Sequence, residues 1–226
     1  MKKFVISMGA FLFLCLLILL LGSQGYAEEK AAYRFTFDDI KEGSPPQADW
    51  KIDATNPGDL LATWKVVRDE TAPSKPHVLS ITEIHDESVG VFNLFWTDKI
   101  SFKDGILEVK IRANSGKEDQ GGGLIWRVKD ANNYYIARYN PLERNFRLYY
   151  VKGGSRRTLA DARVDIKADN WFTIKVSHQG DVITCWLNGQ EYLHARDKTF
   201  MDAGGVGLWT KSDAASSFDD LEVERY

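Results

Sequence analysis

The feature that most constrains this chain is a two-residue alternation of apolar and polar side chains that restarts again and again along the sequence. It appears at Tyr33, Phe35 and Phe37, at Trp64 and Val66, at Leu107, Val109 and Ile111, and at Leu124, Trp126 and Val128. It returns at Phe146, Leu148 and Tyr150 and at Phe172, Ile174 and Val176. Only an extended backbone sends successive side chains to opposite faces, so each segment reads as a half-buried strand. Turn-forming residues separate them: Pro57-Gly58, Asp104-Gly105, Asp130 to Asn133, Gly153-Gly154, Gln179 to Asp181, Asn188-Gly189 and Gly204-Gly205. Asn188-Gly189, between Thr184 to Leu187 and Glu191 to His194, predicts a two-residue hairpin, because both central residues of such a turn take positive φ. No long stretch carries a 3.6-residue apolar stripe, and Val164 to Asn170 has room for one helical turn at most. Ten or so short antiparallel strands hide their apolar faces by packing as two sheets. The expected fold class is therefore all-β: a two-sheet antiparallel β-sandwich, organised as a jelly roll.

The first 27 residues stand apart. Lys2 and Lys3 precede an apolar run from Phe4 to Leu21, and the small residues Gly25 and Ala27 follow it. This is the pattern of a secretory signal peptide over 1–27 with cleavage after Ala27, leaving 28–226 as a single domain. The rival is an uncleaved anchor, since the run approaches the roughly 20 residues that span a bilayer. The expectation is an exported protein, periplasmic or extracellular, that leaves the membrane once the signal is removed. Cys15 departs with the signal, so Cys185 has no partner for an internal disulfide and stability must come from the core. With 29 basic against 32 acidic side chains and a formal net charge of -3, the chain has no surplus with which to neutralise phosphates. Nucleic acid is excluded as a partner class, and a monomer is expected.

Several segments carry a resemblance. They are Gly121 to Arg127, Asp130 to Tyr135, Gly205 to Thr210 and Phe218 to Leu221, together with Phe35 to Asp39, Trp64 to Val67 and Ala72 to Ser74. In these the chain resembles the concanavalin A-like lectin and glucanase jelly rolls, and within them secreted bacterial laminin G-like and 3-keto-disaccharide hydrolase-like domains. The resemblance implies a ligand on the concave sheet or its rim, a carbohydrate partner and, in some relatives, sugar chemistry. The fold hosts lectins, hydrolases, lyases and structural modules, so the residues themselves must decide.

Sugars are held by flat aromatic faces and by Arg, Asn and Asp side chains that fix hydroxyls. The segment Trp126 to Tyr139 is richest in both. On a strand from Asn133 to Tyr139, Tyr135, Ala137 and Tyr139 share one face while Tyr134, Ile136 and Arg138 share the other. On its neighbour, Leu124, Trp126 and Val128 read as core, which sends Gly123, Ile125 and Arg127 outward. Trp209 and Lys211 share a face above Gly205 and Gly207, where a ligand or another backbone can approach closely. The candidate ligand site is accordingly Arg127, Tyr135, Arg138, Tyr139, Trp209 and Lys211. The competing reading of the aromatics is core packing.

Catalytic signatures are sparse. The Glu-x-Asp-x-x-Glu strand of laminarinase-type relatives is missing, as are His-Glu-x-x-His, Gly-x-Ser-x-Gly and phosphate-loop patterns. His85 lies in Glu83 to Glu87, a cluster able to ligate a metal or do acid–base work, and the expectation for it is a solvated loop. The tripeptide Phe-Asp-Asp occurs twice, at Phe37-Asp38-Asp39 and Phe218-Asp219-Asp220. If the terminal strands pair, four carboxylates meet, and a structural Ca²⁺ held by Asp38, Asp39, Asp219 and Asp220 would offset their repulsion. The functional expectation is an exported carbohydrate-binding or carbohydrate-processing protein. The alternatives are a 3-keto-glycoside hydrolase or lyase acting on oxidised disaccharides, and a structural or adhesion module of the cell envelope.

Overall fold

The computed structural model describes residues 32–44 and 48–226. The signal-like segment 1–27 and the connection at Pro45-Pro46 lie outside the described residues. In chain order the strands are β1 (Ala32–Phe35), β2 (Lys51–Thr55), β3 (Thr63–Arg68), β4 (His77–Glu83), β5 (Phe92–Phe102), β6 (Gly105–Ser115), β7 (Gly122–Asp130) and β8 (Asn133–Asn140). They continue as β9 (Asn145–Lys152), β10 (Ser155–Arg163), β11 (Trp171–Gln179), β12 (Val182–Leu187), β13 (Gln190–Arg196), β14 (Gly204–Lys211) and β15 (Ala215–Arg225).

These strands make two sheets. One runs β13-β12-β11-β6-β15-β4-β3, with β1 also paired to β15, and the other runs β10-β9-β8-β7-β14-β5-β2. All pairings are antiparallel. The expected sandwich is present, and the Asn188-Gly189 hairpin joins β12 to β13 with φ of 50° and 79° at its two residues. Residues 164–170 form no helix; they pass from an irregular stretch into a turn.

The main core lies between the sheets. Leu107, Val109 and Ile111 of β6, Phe172, Ile174 and Val176 of β11 and Phe218, Leu221 and Val223 of β15 meet Phe95, Leu124, Trp126, Tyr135, Ala137, Tyr139, Phe146, Leu148, Val206 and Leu208 from the opposite sheet. Cys185 is one of these core residues, a free thiol whose pKa burial pushes up. A second apolar cluster forms on the outer face of the seven-stranded sheet, from Phe92, Leu94, Trp96, Ile125, Val128, Tyr134, Ile136, Tyr149, Val151 and Trp209. A single sheet face does not ordinarily bury ten such residues. Here the twisted sheet closes on itself across one diagonal. The Asn56 amide at the end of β2 donates to Gly90 O (3.3 Å) and to Gly154 O in the β9–β10 turn (3.1 Å). The Thr55 hydroxyl donates to Ala131 O in the β7–β8 turn and lies 2.7 Å from the Tyr134 hydroxyl, which also accepts from Trp209 Nε1 at 3.2 Å.

Candidate functional site

The register fixes what lies on that outer face beyond the apolar cluster. Cross-strand neighbours run Leu94, Trp209, Gly123, Arg138, Arg147, Asp161 across β5, β14, β7, β8, β9 and β10. Position 123 between Trp209 and Arg138 admits only glycine, because a Cβ there would strike the Ala137 carbonyl of the closely packed β8. The neighbouring positions on the same face are Lys211 of β14, Asn140 of β8 and Asn145 of β9.

Loop 116–121 adds Asp119. The Asp213 carboxylate accepts the backbone N–H groups of Lys117, Glu118 and Asp119, which turns the loop inward and lowers the Asp213 pKa against the opposing effect of burial. Asp119 then pairs with Lys211 Nζ at 2.6 Å and accepts Asn140 Nδ2 at 2.8 Å. Glu143, in the β8–β9 turn, accepts Arg138 Nη2 at 2.7 Å and Asn145 Nδ2 at 2.9 Å. Burial alone would raise its pKa, but those two donors and the charges of Arg138 and Arg147 outweigh burial and hold it at about 2. Arg147 also pairs with Asp161 at 2.8 Å. Arg156 of β10 reaches over the same face and lies 4.5 Å from the Tyr149 ring, 5.1 Å from Phe92 and 5.9 Å from Trp209.

Several buried polar atoms here have no hydrogen-bond partner among the described residues, among them Arg138 Nε and Nη1, Arg156 Nη1, Asn145 Oδ1 and the Tyr149 hydroxyl. Arg138 is only 1% exposed. Because the carboxylate of Glu143 can only accept, it orients the Asn145 amide with nitrogen toward it, and the oxygen is left facing elsewhere. Buried donors and acceptors are nearly always satisfied in folded proteins, so a cluster that is not calls for a ligand or ordered water. This cluster offers three guanidinium donors, one amide acceptor and one hydroxyl beside the aromatic faces of Trp209 and Tyr149.

The sequence-derived site residues separate on this frame. Arg138, Trp209 and Lys211 share the outer face. Tyr135 and Tyr139 do not; both are core residues, with Tyr135 Oη donating to Asp197 and Tyr139 Oη donating to Ile166 O at 2.9 Å. The alternation on β8 holds, but it is the Tyr134, Ile136 and Arg138 face that lies outward. Arg127 also falls outside the site. Its φ of 48° breaks the alternation of β7 at a bulge, so Val128 joins the outer cluster instead of the core. The Arg127 guanidinium is fully buried and donates to Lys103 O (2.9 Å), Phe200 O (2.6 Å), Gly180 O (3.0 Å) and Asp104 (3.3 Å). Asp119, Glu143, Asn145, Tyr149 and Arg156 were not legible as site residues. A register joining β8 to β9 and β10 would have brought in Asn145, Tyr149 and Arg156; nothing in the sequence points to the loop carboxylate of Asp119.

The four acidic residues proposed for calcium do not converge. Asp220 is neutralised by Lys110 (2.6 Å) and Arg34 (2.9 Å). Asp219 accepts the Ser74 N–H and hydroxyl at 2.8 and 2.9 Å, with burial raising its pKa to about 6. Asp38 accepts His77 N–H at 3.0 Å, and Asp39 is exposed in the turn after β1. The repulsion that called for a cation is met by protein cations, and no group of three metal-ligating side chains exists among the described residues. These residues do not fit a calcium site.

Residues 48–224 match the 3-keto-alpha-glucoside-1,2-lyase-like domain. No curated protein matches the chain. Among solved structures, carbohydrate-binding module CBM66 from Bacillus subtilis is similar at 21% identity and TM-score 0.60, covering 77% of this chain and 95% of its own. The laminarinase catalytic domain from Thermotoga maritima is similar at 14% identity and TM-score 0.60, covering 88% of this chain and 99% of its own. Domain 4 of AbnA, an extracellular arabinanase from Geobacillus stearothermophilus in complex with arabinotriose, is similar at 12% identity and TM-score 0.55, covering 88% and 94%. At these identities the likeness is one of fold.

Proposed function

Because the chain belongs to the 3-keto-alpha-glucoside-1,2-lyase-like domain family, we propose that it is an exported protein that binds carbohydrate on the outer face of its seven-stranded sheet. The observation that carries this reading is the set of unpartnered buried atoms at Arg138, Arg156 and Asn145. A sugar hydroxyl both donates and accepts, so one ligand class can satisfy Asn145 Oδ1 and the guanidinium donors together, while Trp209 and Tyr149 supply apolar faces for ring C–H groups. The arabinotriose complex of a similar fold supports the ligand class. Export rests on residues 1–27 alone.

The test is a glycan array followed by calorimetric titration of the best ligand into the parent, Arg138→Ala and Asn145→Ala. Each truncation removes hydrogen bonds worth about 1–3 kcal/mol, or roughly five- to 150-fold in Kd. Parent-like affinity in both variants would remove the site from this face.

The family description favours a second reading, elimination from a 3-keto-glycoside. A base takes the proton beside the keto group and the bond to the leaving glycosidic oxygen breaks. The carboxylates on this face, Asp119, Glu143 and Asp161, are all ion-paired, and Glu143 at about 2 is a poor proton acceptor. Turnover of 3-keto-sucrose would establish the lyase reading; binding without turnover supports the lectin-like one. A structural or adhesion role predicts neither.

A further inference from the structure

The charges on this outer face do not balance. Lys211 is matched by Asp119, Arg147 by Asp161, and Arg138 by Glu143. Arg156 has no ion pair among the described residues. Its guanidinium lies among the rings of Tyr149, Phe92 and Trp209, with Nη1 buried and unbonded. The ring faces offset part of the desolvation cost of this guanidinium, but no carboxylate pairs with it to offset the rest. Burial is the largest influence and lowers its proton affinity; Tyr149 opposes it, the charge of Arg138 lowers the affinity further, and Asp119 and Glu143 oppose that in turn. Those two carboxylates are already committed to Lys211, Asn140, Arg138 and Asn145. What is missing is an anion that arrives from outside.

We propose that the saccharide bound here is acidic, a uronic acid or similarly carboxylated sugar whose carboxylate sits against Arg156 while its hydroxyls meet Arg138 and Asn145. This rests on the carbohydrate reading above and narrows it to a ligand class. Arg is suited to the task, because its planar donors match a carboxylate and stay charged when partly buried. The ring cage holds the guanidinium in place before the ligand arrives, which reduces the entropy lost on binding.

The probes are matched pairs: glucuronate against glucose, and trigalacturonate against galactotriose, titrated calorimetrically at 20 and 300 mM NaCl, with inorganic phosphate and acetate as separate arms. The expected result is at least tenfold tighter binding of the acidic member, with the preference shrinking at high salt. Arg156→Gln reduces the acidic-to-neutral ratio to about twofold or less, and Arg156→Lys, which keeps the charge, retains most of it. Unfolding curves of both variants establish that the fold persists. Equal affinity for acidic and neutral members in the parent overturns this proposal and leaves the carbohydrate reading standing. Phosphate or acetate binding as tightly as the uronates also overturns it, since the sugar would then go unread. If no saccharide of either kind binds, both readings fall together.

Discussion

Arg127 gives the sharpest contrast between a residue that binds ligand and a residue that holds the fold. Replacing it by Ala removes a fully buried guanidinium and strands the carbonyls of Lys103, Phe200 and Gly180, which accept from it at 2.6 to 3.0 Å, as well as the Asp104 carboxylate at 3.3 Å. Hydrogen bonds from a charged donor contribute about 1.5–3 kcal/mol each, but the three carbonyls share one side chain and can partly re-solvate. The loss of a buried charged partner typically totals about 3–5 kcal/mol, and that is the range expected here. For a domain of this size each kcal/mol moves Tm by about 2–4 °C, so Arg127→Ala should melt roughly 6–20 °C lower. The φ of 48° is shared by Arg and Ala and cancels in this comparison. Differential scanning calorimetry measures the shift, and titration with a bound sugar below the new Tm measures affinity. A Tm within about 2 °C of the parent, or normal stability with lost sugar binding, would refute the reasoning and return Arg127 to the ligand.

His178 accepts Trp126 Nε1 at 2.8 Å through Nδ1 and is held neutral, with burial and then the Arg127 charge pushing its pKa to about 3. The unfolded His takes up its proton near 6.5 and the folded one does not, so stability falls as pH drops from about 6.5 toward 3. Between pH 7 and 5 the parent should lose about 2 kcal/mol more than His178→Gln in urea unfolding; equal losses would contradict the assignment. Asp219, raised to about 6, works in the opposite direction between about 6 and 4, which is why the variant difference is the quantity to read. Gly123→Ala drives its Cβ into the Ala137 carbonyl and should lower stability by about 1–3 kcal/mol as judged by denaturant midpoint, with an unchanged midpoint counting against the close approach of β7 and β8. Because Lys110 and Arg34 already neutralise Asp220, addition of a chelator should leave the melting curve in place; a drop restored by Ca²⁺ would reinstate a metal.

Alternation made the strands legible because it is a local signal: Leu107, Val109 and Ile111 or Phe172, Ile174 and Val176 announce their faces without reference to any other strand. Where local and global signals part, the reading fails. At Arg127 one left-handed residue reverses the facing of everything after it, and the sequence has no glycine there to mark the turn. On β8 both faces are apolar enough to be core, since Tyr134 and Ile136 are as buried as Tyr135 and Ala137. Choosing between them requires knowing that the sheet closes over its own outer face through Asn56 and Thr55, contacts between residues far apart in the chain. Trp209 and Lys211 were within reach because they share a face with glycines on a predicted strand, and Arg138 because it sits in mid-strand among aromatics. Arg156 and Asp119 enter only through the β9–β10 register and the Asp213 cap.

The position of β15 makes the eight-stranded sheet depend on the last of the described strands. Ala215–Arg225 follows every other described strand in the chain, yet it is the spine to which β6, β4 and β1 are joined. A ribosome-bound chain lacking those eleven residues has no β15 for β6, β4 and β1 to pair with, so the eight-stranded sheet cannot be completed. Loop closure between such distant segments is also slow, because its entropy must be spent before the contacts repay it. A nascent chain therefore holds β6, β4 and β1 without their shared partner until residues 215–225 have emerged, and only then can the eight-stranded sheet close.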